Sequence, residues 1–230
     1  CGKRIIKEEK TEVKICPPYL KNTVHVSGFS EERLKLKHPG TKARVIQMQE
    51  KQIVTKAVLE EVPWIESDGE KYFAPDGEYQ KIAVIERHKN TGKMGVGIVK
   101  GYGIRGGAIA SSVSHDSHNI IVVGDNDHDM AVAVKEMMRT QGGYTLVCNG
   151  EIYGTLPLPV MGLMSDAGYE SVNEALAKMI PKAHEMGVKE GFDPFITLSF
   201  MALPVIPEIR ITPRGIYLVN EDRMLRTPFS

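Results

Sequence analysis

Short apolar runs, separated by Gly, Asp and Pro, follow one another along most of the chain and predict β-strands. The first six are RVIQM (44–48), QIVTKAVLEEV (52–62), KIAVIERH (81–88), MGVGIVKGY (94–102), GAIASSVS (107–114) and IIVVG (120–124). YTLVC and EIYGTL then flank Asn149-Gly150, a pair typical of a tight hairpin turn. Near the end, the chain returns to strands at EIRIT (208–212) and GIYLV (215–219).

Two segments have the spacing of amphipathic helices. Residues 126–141 begin with the acids of DNDHD, which favour a helix start. The apolar face of this segment is formed by Met130, Val134, Met137 and Met138. A second helix is predicted to begin at Ser171, because Glu174 three residues later completes a capping box. Pro181 lies within it and predicts a kink or a break.

The order of these elements predicts the fold class. Strands outnumber helices, and most strands follow one another without a helix between them. We therefore predict an α+β fold with mixed, mostly antiparallel sheets and packed helices. Within it we expect IIVVG (120–124) to be a central buried strand and residues 126–141 to be a helix packed on the sheet.

Composition and charge narrow the class of protein. The 230 residues are 42% hydrophobic and 25% charged, which is ordinary for a globular chain of one large domain or two small ones. Lys+Arg and Asp+Glu both total 29, so a nucleic acid has little charge to attract it, and no apolar run is long enough to cross a membrane. Cys1, Cys16 and Cys148 form no paired spacing, which favours a reducing cytoplasm. Because the chain begins with Cys1 rather than Met, we expect a fragment or a processed product.

GYGIRG, at residues 101–106, matches the dinucleotide-binding pattern G-x-G-x-x-G. That pattern functions where a helix follows it, because the pyrophosphate binds at the N-terminus of the helix. Here the next run is AIASSVS, which is β-like. We therefore interpret these glycines as a turn between two strands.

A dense polar cluster, HDSHN, precedes the apolar run IIVV. As a metal site it would offer His115 and His118, one ligand fewer than catalytic zinc usually takes. As an acid–base or substrate-contact site, Asp116 could orient either imidazole, which titrates near neutral pH. As a structural turn, the cluster has competent turn formers in Asp116, Ser117 and Asn119. The local pattern leaves these alternatives open.

Two further motifs place polar groups at the ends of apolar segments. ERHK places Glu86 and His88 at a strand end, where they are either solvated or at the rim of a cleft. GLMSD carries Ser165 and Asp166 after the proline-rich LPLPV, as either a plain loop or the rim of a pocket.

Several long blocks resemble one family. The blocks MGVGIVKGYGIRGGAIASSVSHDSHNIIVVGDNDHDMAVAV, LPLPVMGLMSD and DPFITLSFMALPVIPEIRIT are similar to the C-terminal region of bacterial and archaeal adenine deaminases. KIAVIERHKNTGKMGVGIVKG fits as well, and the resemblance covers residues 23–230 in one continuous order. It implies an amidohydrolase-superfamily enzyme that converts adenine and water to hypoxanthine and ammonia.

In that family the chemistry resides in a (β/α)8 barrel, where His, Glu and Asp hold manganese or iron. The metal lowers the pKa of bound water, and an acid protonates the leaving amine. The barrel's motif of two histidines separated by one residue is absent from this chain's seven histidines. The resemblance thus implies that residues 1–22 are the end of the preceding metal-dependent part and a connector. Residues 23–230 are then the C-terminal domain, inactive without the missing barrel.

On this interpretation HDSHN need not bind metal, and we expect no metal ligand or other cofactor in this chain. Local chemistry makes His115, Asp116 and His118 the catalytic candidates. The candidates for substrate contact are Asn119, Ser165, Asp166 and Glu86. We expect at least one of the two histidines to be partly buried, with a ring nitrogen bonded to Asp116, Asn119 or a backbone carbonyl. The expected partners are adenine, the barrel domain and further copies of the same chain. The alternative function is a stand-alone module that binds a purine or a protein without turnover.

Overall fold

The structure is a computed structural model, and it describes residues 16–230. The part of the predicted 1–22 connector that precedes Cys16 lies outside the described residues. The described strands are β1 (Ala43–Met48), β2 (Thr55–Glu60), β3 (Trp64–Ser67), β4 (Glu70–Phe73), β5 (Tyr79–Ile85), β6 (Met94–Lys100), β7 (Gly107–Ser111), β8 (Ile120–Gly124), β9 (Gly143–Cys148), β10 (Glu151–Pro157), β11 (Ile209–Thr212), β12 (Gly215–Leu218) and β13 (Arg223–Leu225). The α-helices are α1 (Asp127–Thr140), α2 (Tyr169–Glu185) and α3 (Ile196–Met201), and short 3-10 turns occupy Pro18–Leu20, Glu31–Leu34 and Val219–Glu221.

Eight strands form one open sheet in the order β10-β9-β7-β8-β5-β6-β1-β2. The β1–β6 pair is parallel, and the other neighbouring pairs in this sheet are antiparallel. Strands β11, β12 and β13 form a second, antiparallel sheet, and β3 pairs with β4 as a hairpin. The predicted α+β fold with mostly antiparallel sheets is confirmed, and the described residues form no (β/α)8 barrel.

Both faces of the main sheet are covered, which explains why IIVVG is apolar without alternation. Ile120 and Val122 pack in one hydrophobic cluster with Met130 and Val134 of α1. Ile121 and Val123 lie on the opposite face and pack in a second cluster. This cluster includes Met179 and Ala183 of α2 together with apolar residues of α3 and of the smaller sheet. Strand β8 lies between β7 and β5 and is buried throughout, so the prediction of a central strand is confirmed.

Helix α1 begins as its capping residues predict. The side chain of Asn126 accepts a hydrogen bond from the backbone N–H of Asp129 at 2.8 Å, and the helix ends where Gln141 adopts a left-handed conformation, with φ of 60°. The acids around this start are structural. Asp125 accepts the backbone N–H groups of Gly106 and of Gly107, the first residue of β7. The GYGIRG loop thus leads into a strand, as predicted.

Helix α2 begins earlier than its predicted start. It begins at Tyr169, two residues before Ser171, and no side chain caps it. Gly168, with φ of 89°, turns the chain into the helix, so the predicted capping box is wrong. The helix continues through Pro181, so the break offered as one of the two outcomes there does not occur. Pro181 lies on the solvent-exposed face of the helix, so the backbone carbonyl one turn earlier, which has no N–H partner at the proline, can bond to water.

The smaller sheet packs closely on β6 because two positions there lack side chains. A Cβ atom on Gly95 would lie 2.1 Å from the carbonyl oxygen of Thr212, and one on Gly97 would lie 2.6 Å from the side chain of Ile216. Contact at this distance requires glycine. This close packing places the smaller sheet, together with α3, on the side of the main sheet that faces away from α1. No helix within residues 16–230 is both long enough and apolar enough to cross a membrane.

Candidate active-site turn

The HDSHN cluster forms the connection between β7 and β8, as a turn that begins at Ser114. The backbone N–H of His118 donates to the carbonyl of Ser114 at 2.6 Å and closes the turn. His118 itself adopts a left-handed conformation, with φ of 49°. This conformation is uncommon for a residue with a side chain, so the surrounding bonds must hold it.

The imidazole of His118 is half-buried, and its tautomer follows from its hydrogen bond. Nδ1 accepts the backbone N–H of Ser114 at 3.3 Å, so the ring proton sits on Nε2. Burial lowers the pKa of His118, the charges of His115 and Arg87 lower it further, and Asp116 opposes them. His118 is therefore a neutral hydrogen-bond donor near pH 7. Partial burial was predicted correctly, but the predicted partner was wrong, because the tight turn brings a backbone amide to the ring.

His115 connects the turn to α3. Its backbone N–H donates to the carbonyl of Ser199 at 3.0 Å. Its ring lies 5.2 Å from the ring of Phe200 and 5.6 Å from that of His118, measured between centroids. Asp116 is exposed, and no hydrogen bond within residues 16–230 joins it to either imidazole. The two histidines thus lie side by side, with an aromatic side chain against one of them.

Asn119 is buried and holds the turn at its other end. Its Oδ1 accepts the backbone N–H of Arg87 at 3.3 Å, and its Nδ2 donates to the hydroxyl of Ser117 at 3.0 Å. His88 Nε2 lies 2.6 Å from the carbonyl oxygen of Ser117, so that nitrogen is the donor. Both functional atoms of Asn119 are therefore engaged within the domain.

Arg87 is the residue that sequence reasoning missed. It is 1% exposed, and its Nε donates to the carbonyl of His118. Its Nη2 donates to the carbonyl of Met161 at 3.1 Å, and its Nη1 donates to that of Thr23 at 3.5 Å. Burial lowers the pKa of Arg87 to about 10, which leaves it charged at neutral pH. Strand alternation was the available signal, because it places Arg87 on the same face as buried Ile85.

Glu86 stabilises the turn that follows β5. Its carboxylate accepts the backbone N–H groups of His88, Lys89 and Thr91 and the hydroxyl of Thr91. Burial alone would raise the pKa of Glu86, but these hydrogen bonds outweigh it and lower the pKa to about 2. Glu86 is thus fully bonded within its own turn.

Ser165 and Asp166 lie in the loop that contacts Lys21. Asp166 forms an ion pair with Lys21, and this hydrogen-bonded contact lowers the pKa of Asp166. The hydroxyl of Ser165 accepts the backbone N–H of Ala167 at 3.1 Å. No hydrogen bond or ion pair among the described residues joins this pair to the HDSHN turn. They share one end of the domain, because the guanidinium of Arg87 contacts the same loop.

Comparison with known proteins identifies the family. Residues 52–223 match the sequence profile of the family described as adenine deaminase C-terminal domain. The chain belongs to this family. It is 48% identical over 225 residues to the adenine deaminase of Desulfitobacterium hafniense (strain Y51), an alignment that covers 98% of this chain and 39% of that protein. The adenine deaminase of Bacillus subtilis (strain 168) is 42% identical over 210 residues, covering 90% of this chain and 34% of the relative.

The chain therefore spans between a third and two fifths of the length of these relatives. The Nitratidesulfovibrio vulgaris (strain DP4) adenine deaminase gives the same picture, with 47% identity over 204 residues, 88% of this chain and 35% of the relative. The match confirms the resemblance to the C-terminal region of adenine deaminases.

The described part of this adenine deaminase C-terminal domain offers no clustered set of metal donors. Within residues 16–230, no group of three or more His, Cys, Asp and Glu side chains is arranged to hold an ion. In the HDSHN turn, Nδ1 of His118 is already occupied by a backbone N–H. We therefore assign no metal ligand to this turn.

Proposed function

We propose that this chain is the C-terminal part of an adenine deaminase that converts adenine and water to hypoxanthine and ammonia, in cytoplasmic purine salvage. The support is its identity to proteins named adenine deaminase, of which it covers 39% or less in the alignments above. In this proposal the hydroxide-generating manganese or iron is held by a barrel domain outside the chain. The chain completes or closes the active site and is inactive alone.

The observation that carries the substrate-contact part of this proposal is the tautomer of His118. A neutral imidazole with its proton on Nε2 is a hydrogen-bond donor, and the purine ring presents nitrogen acceptors. Because His118 loses positive charge readily, we propose that it contacts the substrate as a donor. Proton transfer to or from the reacting groups is then assigned to His115 or Asp116, whose side chains lie in the same turn.

The other candidates have a different part in this proposal. Both functional atoms of Asn119 are bonded, Asp166 is paired with Lys21, and the carboxylate of Glu86 accepts four hydrogen bonds. Ser165 caps its own loop. We propose that these four residues shape the rim of the cleft, because each of them is bonded within its own part of the domain.

The experiment is an adenine-to-hypoxanthine assay with added manganese or iron. It compares the 230-residue chain, the preceding barrel alone, and the full-length protein that contains both. We expect activity in the full-length protein and none in the chain. An enzyme-like, metal-dependent rate from the chain alone would contradict the proposal. If the chain bound adenine and the full-length protein were inactive, the stand-alone purine-binding module would be the better explanation.

A further inference from the structure

We propose that Arg87 is the positioning residue of the HDSHN turn, because its buried guanidinium ties three separate chain segments into the one arrangement that presents His118. The inference rests on the proposed role of His118 in adenine deamination. Arg87 lies outside the turn and contacts the backbone carbonyl of His118, not its imidazole. Arg87 itself contacts no substrate in this proposal.

The geometry uses the planar fork of the guanidinium. Nε donates to the carbonyl of His118, Nη2 to that of Met161, and Nη1 to that of Thr23. These carbonyls belong to the turn, to the loop after β10 and to the segment that follows the connector. A guanidinium presents its N–H groups in a fixed plane, so it can hold three acceptors in one relative position. An ammonium has no such fixed fork.

The carbonyl of His118 is one of three atoms that fix this residue. The other two are its backbone N–H, which donates to Ser114 O at 2.6 Å, and its ring Nδ1, which accepts from Ser114 N. These three bonds hold His118 in its left-handed backbone conformation and hold its Nδ1 against the backbone of Ser114. Loss of the Arg87 contact would release one of these three restraints.

The space for the guanidinium is provided by a glycine. A Cβ atom on Gly162 would lie 2.7 Å from Nη1 of Arg87, and Gly162 has φ of 71°. The adjacent hydroxyl of Ser112 donates to the carbonyl of Gly162 at 2.6 Å and keeps this loop against the sheet. The site is thus built around an arginine, although none of the three acceptors is a carboxylate.

The chain offers a matched control in Arg210. It is also buried, and its two terminal nitrogens donate to the hydroxyl of Thr55 and to backbone carbonyls, including that of Ile53 at 2.8 Å. Burial lowers the pKa of Arg210 to about 10, as it does for Arg87. Arg210 joins β11 to the segment before β2 and does not contact the HDSHN turn. Replacing either arginine by Lys keeps the charge and removes the fork.

The first readout is spectroscopic and uses the 230-residue chain. Long-range proton–nitrogen spectra of the imidazoles report which nitrogen of His118 carries the proton, and their titration reports its pKa. In R87K we expect Nδ1 to lose its fixed unprotonated state and the pKa to rise towards its ordinary value. In R210K we expect neither change. An unchanged tautomer and pKa in R87K would overturn the proposal.

The second readout is kinetic and uses the full-length enzyme. We expect R87K to lower kcat for adenine about tenfold to hundredfold per folded molecule with less than about a twofold change in KM, and R210K to leave both unchanged. If the tautomer changed and kcat did not, Arg87 would still position His118, and the proposed role of His118 would fail instead.

A wild-type measurement covers the case in which R87K does not fold. Scalar coupling across a hydrogen bond should connect Nε of Arg87 to the carbonyl carbon of His118. Nε of Arg210, which has no partner among the described residues, should show none. Coupling at Arg87 supports the proposal, and its absence in a well-resolved spectrum contradicts it.

Discussion

Glu86 gives the sharpest quantitative prediction, because its carboxylate is bonded four times within one turn. We consider Glu86→Gln, which keeps the size of the side chain and removes its charge. The hydrogen bonds hold the pKa of Glu86 at about 2 against an ordinary value of 4.5, a difference that corresponds to about 3 kcal/mol of folding free energy. The turn lies near the surface, so solvent screening reduces the expected effect to about 2 kcal/mol.

The sign of the pH dependence follows from the lowered pKa. Ionised Glu86 stabilises the folded state fully above pH 4.5, and this contribution is lost as the pH falls towards about 2. Urea unfolding of the 230-residue chain should therefore show E86Q to be less stable than wild type by about 2 kcal/mol at pH 7, with a difference that shrinks between pH 4.5 and 2. Glu174→Gln, on the exposed face of α2, is the matched control and should show little change.

The same variant separates a turn residue from a substrate contact. In the full-length protein we expect the KM of E86Q for adenine to stay within about twofold of wild type, because no oxygen of Glu86 is free. A stability difference that did not vary with pH would refute the reasoning from hydrogen bonds. A large rise in KM without loss of stability would identify Glu86 as a direct substrate contact.

Two further predictions concern the start of α1. Asp127→Asn should destabilise the chain by about 3 kcal/mol, because it leaves the buried ammonium of Lys81, which is 2% exposed, without its carboxylate partner. Thermal unfolding of the variant and of wild type measures this difference, and an unchanged midpoint would contradict it. Asn126→Ala should lower the free energy of unfolding by about 1 kcal/mol, because it removes the cap of α1. Asn173→Ala, on the exposed face of α2, is the control and should not lower it. Equal unfolding midpoints for the two variants would show that the cap contributes nothing.

The elements with the clearest local signals were predictable from the sequence. Strand β8 is a continuous apolar run because both of its faces are covered, and α1 combines a capping residue with one apolar face. The start of α2 was not predictable in this way. The capping box predicts a start at Ser171, but the helix begins at Tyr169, directly after Gly168, which has a positive φ. Helix α3 has only six residues, too few to show an apolar periodicity. Its one local signal is Asp193, whose carboxylate accepts the backbone N–H groups of Phe195 and Ile196.

The candidate turn was predictable as a location, and its internal contacts were not. Two histidines, an acid and an amide beside a buried strand identify a place where polar groups need partners. The partners themselves come from distant parts of the chain. Arg87 bonds to residues 64 positions before it and 74 positions after it, and α3 supplies the carbonyl that receives the N–H of His115. Such contacts depend on tertiary packing, which sequence periodicity does not encode.

In our proposal, the HDSHN turn acts on the substrate through His118, and it neither binds metal nor serves as a turn alone. The most direct measurement is the rate of adenine deamination per folded molecule in the full-length protein carrying His118→Ala. His128→Ala, at an exposed position on α1, is the matched control. We predict a loss of about tenfold to hundredfold for His118→Ala with bound metal unchanged, and a wild-type rate for His128→Ala. A wild-type rate for folded His118→Ala, or a loss of metal in proportion to activity, would contradict the claim.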